Sequence, residues 1–182
     1  MTAWKIPLYK IYWNEDDVLA VASVIRQGMF WAIGPKITEF EQLIAEYTGR
    51  KFAVACNSGT SALHALLLAY GIKSGDEIIV PSFIFIATAN SVIYVNAKPV
   101  FAEIEEETYG LDPEDVKERI TNKTRAIMLI HYGGCPCRIE ELKELAEDYK
   151  LLLIEDAAES LGARVRSQPV GSFGNTYLTG YE

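Results

Sequence analysis

Arg125-Ala126-Ile127-Met128-Leu129-Ile130-His131, the segment from Ile139 to Tyr149, and Leu151-Leu152-Leu153-Ile154-Glu155-Asp156 together decide the fold. Ala126 to Ile130 and Leu151 to Ile154 are continuously apolar, the signature of strands covered on both faces. The middle segment places Leu142, Leu145 and Ala146 on one helical face. Strand, helix of this length and strand make a right-handed crossover between parallel neighbours. The same alternation extends upstream. Phe52-Ala53-Val54-Ala55-Cys56, Glu77-Ile78-Ile79-Val80 (stopped by Pro81) and Pro99 to Ile104 read as strands. Ser61 to Tyr70 and Ile84 to Val95 read as helices, and Asp112 is placed to cap a third, with Pro113 at its first position and an end near Ile120. The fold class is α/β with a mostly parallel sheet.

Composition narrows the function. The 182 residues carry 17 Lys+Arg against 25 Asp+Glu, a net charge of −8. With a pI near 4.9, neither nucleic acid nor an anionic membrane surface is expected as the main partner. No apolar run approaches the roughly 18 residues of a membrane span, and the first residues show no signal-peptide core. Cys56, Cys135 and Cys137 are too few for a disulfide framework. Cys135-Pro136-Cys137 lacks the second ligand pair of a tetrahedral zinc site. A soluble, cytoplasmic protein is expected.

Parallel α/β sheets bind ligands beyond the carboxyl ends of their strands. There the chain reads Asn57-Ser58-Gly59-Thr60-Ser61, Pro81-Ser82-Phe83-Ile84-Phe85, His131-Tyr132-Gly133-Gly134 and Glu155-Asp156-Ala157-Ala158-Glu159. The first is an ordinary helix cap or a phosphate site at a helix N-terminus. The second offers aromatics for stacking or for the core. His131 is either a ligand contact or a hydrogen-bonded structural histidine, and His64 is expected to pack in the core. The last is a loop acid among small residues, or a partner for a cationic ring nitrogen. Taken together they suit a planar phosphorylated heterocycle such as pyridoxal 5'-phosphate (PLP).

With these segments in hand, the chain resembles the DegT/DnrJ/StrS family of sugar aminotransferases, fold-type-I enzymes that use PLP. The likeness rests on Gly34-Pro35, Phe40-Glu41, Asn57 to Leu63, Gly75 to Phe83, Ala87-Thr88-Ala89-Asn90, His131 to Gly134, Glu155 to Gly162 and Val170-Gly171-Ser172-Phe173-Gly174, in the family's order. It implies a three-layer fold-type-I large domain, incomplete at its C-terminal end. Residues 1–50 would be a helical arm with a substrate-pocket segment, and 51–182 a partial PLP-binding domain without the C-terminal small domain. By resemblance, Gly59, Thr60 and Ser61 hold the cofactor phosphate. Phe85 stacks on the ring, Ala158 lies beneath it, Asp156 pairs with the ring nitrogen and Glu159 lies near the ring hydroxyl. Trp31 and Ile33 help line the substrate pocket; His131, from its place after a strand and not by the resemblance, is a candidate substrate contact. The implied reaction moves an amino group from glutamate to a keto group of a nucleotide-linked sugar, in a homodimer.

That chemistry needs a lysine to hold the cofactor covalently and shuttle a proton. In the family it comes shortly after the Gly-Ser-Phe-Gly segment. Here no lysine follows Asp156, and the last one is Lys150. The expectation is therefore a truncated chain that holds PLP weakly, through Thr60, Ser61 and Asp156. The alternatives are a sugar dehydratase on the same scaffold, with histidine in place of the lysine, and a non-catalytic fragment that binds a partner.

Overall fold

The computed structural model describes residues 6, 10–29 and 33–179. Two compact units divide the chain, Met1–Phe40 and Glu41–Glu182. In the first, α1 (Glu15–Gln27) opens on a reciprocal cap. The Asn14 side chain accepts from the Asp16 and Asp17 amides, and Asp17 accepts from the Asn14 amide at 2.9 Å. The helix closes on Gly28 in the left-handed conformation. Helix α2 (Pro35–Thr48) starts in the first unit and ends in the second.

The second unit is the α/β body. Helix α3 (Gly59–Ala69) leads to β1 (Glu77–Pro81), α4 (Ile86–Tyr94) and β2 (Lys98–Ala102). Then come α5 (Pro113–Arg119), β3 (Thr124–Ile130), α6 (Ile139–Tyr149) and β4 (Leu152–Asp156). A hairpin of β5 (Arg164–Val165) and β6 (Gln168–Pro169) precedes β7 (Thr176–Leu178). The main sheet runs β2-β1-β3-β4-β7, and every neighbouring pair is parallel. The fold class read from the sequence is therefore the one observed. So are the Asp112 cap on the Glu114 amide and the Pro113 start of α5.

Strand alternation sends successive side chains to opposite faces. Ile78, Val80, Ala126, Met128 and Ile154 bury against Leu63 and Leu67 of α3 and Val92 of α4. Ile79, Ile127, Leu129 and Leu153 bury against Val116 of α5 and Leu142 and Ala146 of α6. Each face removes several large side chains from water, at about 1.5–3 kcal/mol apiece. The two clusters are what hold the three layers together.

One expected strand is not formed. Residues 52–56 carry no ladder, and Phe52 and Val54 are 75% and 80% exposed. A strand exists only through a hydrogen-bonding neighbour; among the described residues the sheet's edges are β2 and β7, and neither pairs with this segment. The sequence reading also left out β7, a three-residue strand too short to show a period.

Candidate functional site

Asp156 ends β4, opposite Ile130 of β3 on one side and Leu178 of β7 on the other. Its side chain follows the parity of Ile154, toward α3 and α4. The residue is only 5% exposed. Thr88, in the first turn of α4, donates its hydroxyl to Oδ2 at 2.9 Å, and the Ala158 amide donates to Oδ1 at 3.3 Å. A carboxylate taken this far from water needs donors or a cation around it. The turn that follows is Ala157, buried, and Ala158, half-buried, so little side-chain bulk stands beside the acid.

Helix α3 brings its N-terminus to the same end of the sheet. Its C-terminal neighbour Tyr70 reaches the carbonyl of Asn175, ahead of β7, so the helix starts at the strands' carboxyl ends. Ser58 caps it, accepting the Ser61 amide at 3.1 Å, with its hydroxyl 3.0 Å from that of Ser61. The cap covers Ser61 and leaves Gly59 and Thr60 as the helix's orphan N–H donors, at the positive end of its dipole. Phe85 is the residue before α4, and its carbonyl accepts from the Thr88 amide at 3.2 Å. It is therefore one turn from the group that holds Asp156, with its ring largely in solvent.

Glu159 is exposed, and its Oε2 accepts the Gly133 amide at 2.7 Å. It thereby ties the turn after β3 to the turn after β4. Ile33 is 82% exposed and belongs to the first unit. Trp31 lies outside the described residues. His131 has no exposed surface. The Cys137 amide donates to its Nδ1 at 3.2 Å, which puts the ring proton on Nε2, 3.4 Å from Oε2 of Glu155. Both ring nitrogens thus face protein groups, the geometry of the structural alternative. His64, half-buried, meets Tyr94 edge-on at 5.7 Å.

The residue that sequence reasoning passed over is Glu155. It is fully buried on the face opposite to Asp156. The Gly171 amide donates to Oε2 at 2.7 Å, and the amides of Phe173 and Gly174 donate to Oε1 at 2.9 and 2.6 Å. Arg50 stands 3.7 Å from Oε1 and donates to the carbonyls of Gly171 and Gly174. Burial alone would push this carboxyl up; the hydrogen bonds from His131, Gly174 and Gly171 outweigh it and hold the group below the usual carboxylate range. The signal was available, since adjacent acids on a strand covered on both faces must each find buried partners. Among the described residues no group of acids, histidines and cysteines is arranged to hold a metal.

A parallel sheet with a buried acid at a strand end, and a capped helix N-terminus at the same end of the sheet, matches the large domain of PLP-dependent transferases. The chain belongs to the DegT/DnrJ/EryC1/StrS aminotransferase family, whose model matches residues 12–180. It is 46% identical over 144 residues to a GDP-perosamine synthase of Caulobacter vibrioides, covering 79% of this chain and 39% of the relative. It is 37% identical over 169 residues to the UDP-4-amino-4-deoxy-L-arabinose–oxoglutarate aminotransferase of Shewanella sediminis, covering 93% and 43%. Among solved structures, the aminotransferase of Psychrobacter cryohalolentis superposes with a TM-score of 0.88 at 34% identity, covering 92% of this chain and 43% of that one. DesV of S. venezuelae, in complex with a ketimine intermediate, gives 0.83 at 37%, covering 91% and 44%. The chain thus spans less than half the length of these relatives. No helix among the described residues is long and apolar enough to cross a membrane.

Proposed function

We propose that this chain forms the cofactor-receiving part of a PLP-dependent aminotransferase that acts on nucleotide-linked sugars, with glutamate as amino donor. The observation that carries it is Asp156, a buried carboxylate oriented by Thr88 at a strand end served by a helix N-terminus. Bound PLP supplies an electron sink for carbanion chemistry at the amino-bearing carbon. The residues around it have separate tasks. The Gly59 and Thr60 amides and the Thr60 and Ser61 hydroxyls bind the phosphate, favoured by the helix dipole. Asp156 keeps a proton on the ring nitrogen, because a nearby carboxylate stabilises the cationic form. Thr88 orients that carboxylate, Ala158 leaves room for the ring and Phe85 offers an aromatic face.

Titration of the purified protein with PLP, followed by the cofactor's absorbance, tests this reading. Saturable binding is expected, with Asp156→Asn weakening it about tenfold, or ~1.4 kcal/mol. Absence of saturable binding, or equal affinity in Asp156→Asn, refutes it. Amino transfer from glutamate to a nucleotide-linked keto sugar is the corresponding test on the longest natural form of the protein.

A further inference from the structure

Glu155 and Asp156 are consecutive on β4 and point to opposite faces. The Glu155 carboxylate gathers two turns that are distant in sequence. One is the turn after β3, reached through His131 and the Cys137 amide. The other is the Gly171–Gly174 turn ahead of β7, held by three amides on the carboxylate and by Arg50 on two carbonyls. The contact is close. A Cβ on Gly174 would lie 2.5 Å from the Leu153 carbonyl oxygen, and one on Gly171 would lie 2.6 Å from the Tyr177 ring. The segment after Asp156 in turn meets the turn after β3 and the far end of β7. Gly133 donates to Glu159, and the Ala157 amide donates to the carbonyl of Leu178 at the end of β7.

We infer that Glu155 is a positioning residue: one buried carboxylate ties the turn after β3 and the turn before β7 to the strand end that carries Asp156. The candidate cofactor site is thereby framed from the far face of the sheet. The functional half of this inference rests on the PLP reading; the structural half does not.

Glu155→Gln makes the linkage measurable by amide hydrogen exchange. Glutamine offers one acceptor oxygen where the carboxylate offers two. If its oxygen serves Phe173 and Gly174, its NH2 faces the Gly171 amide and His131 Nε2–H. The imidazole must then move its proton to Nδ1, where it meets the Cys137 amide, so Gly171 and Cys137 both lose an acceptor. If the oxygen turns the other way, Gly171 and Cys137 both keep theirs, while Phe173 and Gly174 lose theirs. Exchange at Gly171 and Cys137 is therefore expected to change together, opposite to Phe173 and Gly174. Each loosened pair should quicken about tenfold relative to Met128. Gly171 changing while Cys137 does not would overturn the linkage.

His131→Asn serves if that variant does not fold. Its Oδ1 stands in for Nδ1 toward Cys137, but nothing replaces Nε2 beside Glu155. Loss of protection at Gly171, Phe173 and Gly174 on acidification should then begin about one pH unit higher than in the natural protein. The titratable or charged groups facing Glu155 are His131, Arg50, Cys137 and Tyr177. An unchanged midpoint would overturn the inference.

PLP titration separates the two halves. If the natural protein binds PLP and Asp156→Asn weakens it, Glu155→Gln with loosened turns should weaken binding about tenfold as well. Unaltered affinity there would overturn the positioning role while leaving the PLP reading intact. If the natural protein binds no PLP, the PLP reading falls and the amide pairing alone decides whether the two turns are linked.

Discussion

Gly174→Ala is the sharpest test of the packing around β4. The added Cβ would sit 2.5 Å from the Leu153 carbonyl oxygen, 3.1 Å from its carbon and 3.3 Å from Oε1 of Glu155. The first two are backbone atoms inside the sheet and cannot swing aside. The turn must back away from β4, which stretches the Phe173 and Gly174 amides off Glu155. Hydrogen bonds to a charged group are worth about 1.5–3 kcal/mol each, so losing both costs about 3–6 kcal/mol. With a urea m-value of ~2 kcal/mol/M, the unfolding midpoint should fall by about 2 M. Glu140→Ala, which removes the exposed ion pair with Arg166, is the matched control and should shift stability by under ~1 kcal/mol. A Gly174→Ala protein within about 1 kcal/mol of the natural one would show that the turn does not press on β4, and would refute the steric argument.

Thr88→Val keeps the shape but removes the hydroxyl that meets Asp156 in the interior. It should cost about 1.5–3 kcal/mol by urea unfolding, and a neutral result would mean that the bond carries no stability. Its hydrogen bonds hold Glu155 below the ordinary carboxylate range, so its contribution is complete above the ordinary glutamate value and is lost as the pH falls through the lower folded one. The urea midpoint should therefore decline on acidification below about pH 4.5, and a midpoint that rises there would contradict the sign. Phe52→Ser with Val54→Ser removes two exposed apolar side chains from a segment outside the sheet. Sedimentation should show less concentration-dependent association; unchanged association would place the sticky surface elsewhere.

The alternation of apolar runs and helices was legible because both faces of each central strand are covered. Continuous runs such as Ile127 to Ile130 admit few other readings. Asp112-Pro113 announced α5 because both residues act locally, one as cap and the other by its fixed φ. Phe52 to Cys56 misled because apolar character reports what a segment could bury, while a strand depends on a neighbour that local sequence does not encode. At the site, Asp156 stood out as the acid at a strand's carboxyl end, and the Ser58-capped helix as a Gly-containing turn feeding a helix N-terminus, although the strand expected before it is not formed. Glu155 did not, because its role lies in the Gly171–Gly174 backbone, and backbone amides look alike in every sequence. His131 shows the same limit: its type allowed two roles, and only its Cys137 and Glu155 partners distinguish them.

The two acids at the end of β4 also act as a reading frame for the strand. Lys150, in the left-handed conformation at φ 56°, closes α6 just before β4 begins. A single residue inserted in that turn, if the strand slipped by one to absorb it, would exchange the two faces. The longer carboxylate would enter the α3 and α4 side, and the shorter one would be left facing three amides it cannot span. Neighbouring acids with opposite assignments thus forbid half-repeat errors that an all-aliphatic strand would tolerate, so length changes in this turn should be far less acceptable than substitutions within it.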